Sequence, residues 1–128
     1  MNHWENVKEL FKDPTIDINE GDWTIFHWAC WNENYEIVDL LLQDFRVNIQ
    51  KPDKNGITGS LIARQFGFVK IIKRILASGR EVDLRILNTS KKYQKNHEEI
   101  TNLLIFYQSQ SEKIQFQLRE ELDLPSIF

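Results

Sequence analysis

An all-helical stack of helix–turn–helix units is the fold this sequence predicts, and three observations carry the prediction. The chain repeats itself: Thr24 and Thr58 stand 34 residues apart, and the segments that follow them align. In the first segment Ile37, Val38, Leu41 and Leu42 fall on one face of a helix, and the second segment matches them with Ile71, Ile72, Ile75 and Leu76. Between the two segments, KPDKNGIT sets Pro52, Asp53, Asn55 and Gly56 close together, a turn composition that predicts a tight loop or hairpin.

Size and composition agree with one small globular domain. The chain has 128 residues, 41% hydrophobic and 27% charged, which disfavours disorder, collagen and coiled coil. No run approaches the roughly 20 apolar residues of a membrane span. The start, MNHWENVKELF, lacks the basic and apolar regions of a secretory signal. Cys30 is the one cysteine, so neither an internal disulfide nor a four-ligand zinc site is expected. A reduced intracellular, cytoplasmic setting fits best, with a mature secreted chain left open. Charge is uneven: residues 1–50 sum to −7, residues 51–80 to +6 and residues 81–128 to −2. Solvated helical faces account for such a pattern, and so does the steering of a partner.

The elements follow in order. WENVKELFKDPTIDIN reads as a helix and exit loop, with Ile16-Asp17-Ile18-Asn19 paralleling Val47-Asn48-Ile49-Gln50. Each full unit then opens on a short helix of about two turns, with small residues (Ala29 and Cys30, then Ala63) where helices approach closely. HEEITNLLIF reads as a further helix. In the tail, Ser109 and Glu112 have capping-box spacing, Ile114, Leu118 and Leu122 recur every fourth residue, and Pro125 supplies a stop. This last helix is expected to cap the end of the stack, with partner binding as its alternative.

The segment Thr24-Ile25-Phe26-His27-Trp28-Ala29, followed by Glu36-Ile37-Val38 and Leu40-Leu41-Leu42, resembles the repeat of the ankyrin family. The second unit keeps Asp53, Gly56, Thr58, Ala63, Gly67 and Gly79 of the same pattern. The resemblance implies an all-α, ankyrin-type solenoid with short hairpin loops. Its repeats cover 1–108, two of them full (Thr24 to about Arg85) between two partial ones, and 109–128 form a C-terminal capping helix or tail. There are departures. Ile25 and Gly59 replace the motif proline, Asp22 stands at the turn glycine with Gly21 one place early, and Leu61 replaces the second histidine. About five residues are missing around TSKKYQKN relative to the second unit. The family role of His27 is a hydrogen bond within the loop, with Thr24. The position of Trp28 normally packs on a preceding repeat; with that repeat truncated, either Trp4 and His3 fold back over it, the expected arrangement, or Trp28 is exposed.

No constellation for catalysis emerges. His27 and Cys30 share a helix face, but Cys30 stands at a small-residue position that the pattern buries. His3 and His97 are isolated and expected at the surface, and the adjacent carboxylates Glu98-Glu99 and Glu120-Glu121 point about 100° apart on a helix. No phosphate loop, metalloprotease or EF-hand pattern occurs, so no enzyme, metal or cofactor is expected.

Recognition of a protein is better supported. In ankyrin stacks, partners meet the hairpin tips and the concave face of the first helices. Carried onto this chain, those positions include Trp23, Trp31, Asn32, Lys54, Asn55, Ile57, Gln65 and Phe66. The large apolar ones suit anchors in a partner's pockets and the polar ones their surroundings. Trp23 and Trp31 packing together simply to stabilise a short stack is the bland alternative. Two other functions stay open: a spacer within a larger scaffold, and binding of nucleic acid or an anionic surface through Lys51, Lys54, Arg64, Lys70, Lys73, Arg74 and Arg80, which the acidic overall balance disfavours. A monomer or weak dimer is expected, with no membrane association.

Overall fold

The structure is a computed structural model that describes residues 3–87 and 95–124, with side chains from Val7 onward other than that of Leu84. The described helices are α1 (His3–Leu10), α2 (Ile25–Trp31), α3 (Tyr35–Gln43), α4 (Gly59–Phe66), α5 (Val69–Ala77), a 3-10 turn at Leu84–Leu87, α6 (His97–Ser109) and α7 (Ser111–Glu121). No strand occurs among the described residues. Helix α2 packs on α4 and α3 on α5, so the first helices form one layer and the second helices another. Helices α6 and α7 both pack on α5. The all-α stack read from the 34-residue period is the architecture that forms.

Local chemistry explains each start and stop. Thr24 caps α2, its hydroxyl accepting from the His27 amide, and Thr58 caps α4 in the same way through the Leu61 amide. Asn34 caps α3 by accepting from the Ile37 amide. Gly67 ends α4 at φ 71°, left-handed backbone that favours glycine. A Cβ there would meet the Lys95 carbonyl, so the close approach of the segment before α6 also requires glycine.

The periodic apolar residues form the core. Ile37, Val38, Leu41 and Leu42 are buried together with Ile71, Ile72, Ile75 and Leu76. Each such side chain contributes roughly 1.5–3 kcal/mol relative to exposure. The α2–α4 contact is set by a large-against-small pair. A Cβ on Gly59 would stand 2.6 Å from the Phe26 ring and 3.0 Å from Cys30 Sγ. Phe26 thus fills the space that a proline at Gly59 would need, which accounts for that departure from the family pattern.

Two arginines, again 34 residues apart, tie successive units together. The Arg46 guanidinium donates to the carbonyls of Phe11 and Asp13, just past α1. Arg80 donates to Leu41, Leu42, Asp44 and Val47, at and beyond the end of α3. Each supplies donors to backbone carbonyls at or just past the end of a helix. Arg64 joins α4 to α6: it is buried, donates to Thr101 Oγ1 at 2.6 Å and to the His97 carbonyl at 3.5 Å, and leaves its Nε without a partner.

Several expectations are corrected or fall elsewhere. Ser109 does not open a capping box; it is the last residue of α6, and its hydroxyl donates to the Phe106 carbonyl. Helix α7 starts after Gln110, which makes no side-chain cap. It ends at Glu121, before the proposed stop at Pro125, which lies outside the described residues. His97 is half-buried rather than isolated at the surface. Most of TSKKYQKN and the side chains of His3 and Trp4 also lie outside the described residues.

Candidate interaction surface

Trp28 and Trp31 are three apart on α2 and therefore share a face. Trp23 precedes the helix and turns back beside them, because its indole Nε1–H donates to Asp53 Oδ2 at 2.9 Å. Phe66 is the last residue of α4, and α4 lies against α2. The result is a continuous row of rings. Trp28 meets Trp23 at 4.6 Å between centroids, Trp23 meets Trp31 at 5.8 Å, Trp31 meets Phe66 at 4.8 Å, and Phe66 meets Phe68 at 5.9 Å. The first three contacts are edge-to-face, an arrangement favoured by ring quadrupoles. Despite these contacts Trp28 stays 49% exposed, Trp31 43% and Phe66 39%. Trp23 is half-buried beneath them and stacks on His27 at 5.7 Å.

The platform under the rings is a hydrogen-bonded frame. His27 Nδ1 accepts from the Thr24 amide at 3.1 Å, so Nε2 carries the proton and donates to the Ile57 carbonyl at 2.8 Å. His27 has the loop-bonding role that the resemblance implied, and it reaches the next unit's hairpin as well. Asp53 closes that hairpin: its Oδ1 accepts from the amides of Asn55 and Ile57. The Ile57 amide above all holds the Asp53 carboxyl below the usual carboxylate range; burial opposes it, and the Trp23 indole and Asn55 amide add to the lowering. The two hairpins also touch, the Lys54 amide donating to Asp22 Oδ1 at 2.6 Å.

The residues singled out in the sequence thus divide. Trp23, Trp31 and Phe66 come together. Gln65, Lys54, Asn55 and Asn32 are exposed around them, although Asn32 spends its side-chain amide on the Trp28 carbonyl. Ile57 is half-buried and serves the frame through its carbonyl. Trp28 also belongs to the row and is exposed, the alternative to its cover by Trp4 and His3. Its helical spacing to Trp31 was the signal for it. No signal in the sequence gave the Trp23–Asp53 bond, which joins residues 30 positions apart.

Catalytic chemistry finds no footing at His27 and Cys30. Cys30 is fully buried, which pushes its thiol far up, and both ring nitrogens of His27 are engaged. Among the described residues no His, Cys, Asp and Glu group is arranged to hold a metal, and no helix is long and apolar enough to cross a membrane. The basic residues of 51–80 do not form an open patch. Arg64 is buried, Arg80 caps backbone carbonyls, Arg74 pairs with Asp39 at 3.1 Å and Lys73 with Glu121 at 2.7 Å. Lys51 Nζ donates to the carbonyls of Asn19 and Gly21. Lys54 and Lys70 are the two of the seven that are exposed.

Residues 21–54, from the hairpin before α2 to the next hairpin, match the family model of the ankyrin repeat. The match covers one repeat and supports a place for the chain in the ankyrin-repeat family. No curated protein and no solved structure matches it. Ankyrin repeats are generally protein–protein interaction modules and are typically non-catalytic.

Proposed function

We propose that this chain recognises a partner protein through the aromatic row on its first helices, the face that is concave in ankyrin stacks. One observation carries the reading: Trp31 and Phe66, from successive repeats, touch at 4.8 Å and are still 43% and 39% exposed. Rings that served only to stabilise the stack would be covered by it. A row of this kind is a contiguous apolar patch with a rigid geometry, the type of surface that forms the centre of protein interfaces. Trp31, Phe66 and Trp28 are the anchors, and Trp23 positions them. Gln65, Lys54, Asn55 and Asn32 form the polar rim, and Ile57 supports the hairpin. The basic-patch alternative loses support because five of its seven cations are already engaged or buried.

Selection of a displayed random-peptide library on the protein tests the reading, with counter-selection on Trp31→Ser/Phe66→Ser. Both residues are partly exposed, so circular dichroism should show the variant folded as the parent. Enriched peptides that bind the parent and shift the Trp28 and Trp31 indole signals in NMR support the proposal. Peptides that bind both proteins equally, or no enrichment, contradict it.

A further inference from the structure

The charges around the aromatic row bear on what it can bind. Residues 20–34, which supply Trp23, Trp28 and Trp31, hold the carboxylates of Glu20, Asp22 and Glu33 and no lysine or arginine. All three carboxylates are on exposed residues. The next hairpin, 51–57, adds Asp53, Lys51 and Lys54, so four carboxylates stand against two cations. The hydrogen bonds of these carboxylates leave their charge in place. Asp22 accepts from the Lys54 amide, Asp53 from the Trp23 indole and the amides of Asn55 and Ile57, and Glu33 from the Tyr35 hydroxyl. Every one of these donors is neutral. Glu33 is also held at a conformational cost. Its φ is 52°, left-handed backbone, and the corresponding residue 34 positions on is Gly67 at φ 71°. A glycine would relieve that strain, yet a carboxylate stands there, two residues after Trp31.

We propose, on the reading that the row is the recognition surface, that the partner presents a basic segment whose arginines stack on the exposed indoles of Trp28 and Trp31, their charge answered by Glu33, Asp22 and Glu20. An indole face attracts a cation through the ring quadrupole, more strongly than a phenol does. Tyr35 already carries Lys70 and Arg74 over its ring, at 5.6 and 4.9 Å. Among the described residues no cation stands over Trp28 or Trp31. Arginine fits better than lysine, because its planar guanidinium lies flat on a ring and still donates to a carboxylate at its edge. The other kinds of segment fit worse. A neutral apolar one would strip water from the carboxylates without answering their charge, and an acidic one would be repelled.

A short synthetic peptide alternating arginine with serine tests the proposal, beside the same peptide with citrulline, the neutral isostere, in place of arginine. Both are titrated into the full chain, with the Trp28 and Trp31 indole signals followed by NMR. The arginine peptide should shift both signals, and the citrulline peptide should bind about tenfold more weakly. Trp31→Ser/Phe66→Ser, which keeps every charge, should also bind the arginine peptide about tenfold more weakly. Glu33→Gln, an exposed substitution, should weaken it about threefold. Equal binding of the two peptides, arginine binding that the ring variant leaves unchanged, or no binding would each overturn the proposal. The library selection separates this failure from that of the row itself. Selected peptides that need Trp31 and Phe66 but carry no arginine would leave the row standing and overturn the basic partner; peptides that need neither ring would overturn both.

Discussion

Gly59 shows how much a single position decides. Its φ is ordinary, and what requires glycine there is the Phe26 ring 2.6 Å from where a Cβ would stand. Gly59→Ala should cost about 1–3 kcal/mol through overpacking, read as a lower urea midpoint with unchanged m-value. A pairing of large and small residues 33 positions apart is visible in the sequence only as a missing motif proline. His27 was better marked, because the motif named both the residue and its loop partner. His27→Ala removes a neutral imidazole that accepts from Thr24 and donates to Ile57. Leaving the buried Thr24 amide and the half-buried Ile57 carbonyl unpaired should cost about 1–3 kcal/mol, measured in the same titration.

Among the elements, the helices were legible and their ties were not. Periodic Ile, Val and Leu residues reveal an apolar face, but a guanidinium that reaches back over 33 residues or more leaves no local pattern. Arg46 and Arg80 repeat at the 34-residue period and do the same work in successive units. Arg80→Ala should lower stability by about 2 kcal/mol, because charge-assisted bonds to helix-end carbonyls are lost. Arg80→Lys should recover less than half of that, since an ammonium cannot span carbonyls fixed for a planar fork. Thermal denaturation of the three proteins checks both values. Asp83 gives an element-level pH dependence. Burial pushes its carboxyl up, but hydrogen bonds from the Arg85 and Thr58 side chains and the Arg85 amide outweigh it and hold it below the ordinary 3.8. A carboxyl depressed in the folded state stabilises fully above the unfolded value and loses that contribution as pH falls through the folded one. Stability of the parent should therefore drop below about pH 4, and Asp83→Asn should flatten that part of the acid titration.

At the scale of the whole molecule, the period alone was enough for the stack, because every unit buries its apolar stripe against a neighbour. The surface was legible in part. Trp23, Trp31 and Phe66 were placed together by register, whereas exposure depends on what else covers them, and that is a tertiary property. Trp23 illustrates the limit: register puts it on the face, but the Asp53 bond and the His27 stack draw it into the platform. For this reason Trp23 is a poor probe of binding, as its replacement would disturb the hairpin that carries Asn55 and Ile57. The ends of the stack are less regular. Helices α6 and α7 both pack on α5 while leaving Ile105 and Phe116 exposed, so exposed aromatic residues occur on more than one face and the aromatic row must be distinguished from them.

The most direct test of that distinction is a calorimetric titration of one selected peptide into the parent, Trp31→Ser/Phe66→Ser and Phe116→Ser. If the row on α2 and α4 is the recognition surface, the double variant loses at least about 30-fold in affinity, the equivalent of one interface hot spot. The Phe116→Ser protein then binds within about twofold of the parent, since exposed positions outside the hot-spot centre contribute little. Equal affinity for the parent and the double variant, or a loss confined to Phe116→Ser, would contradict the account.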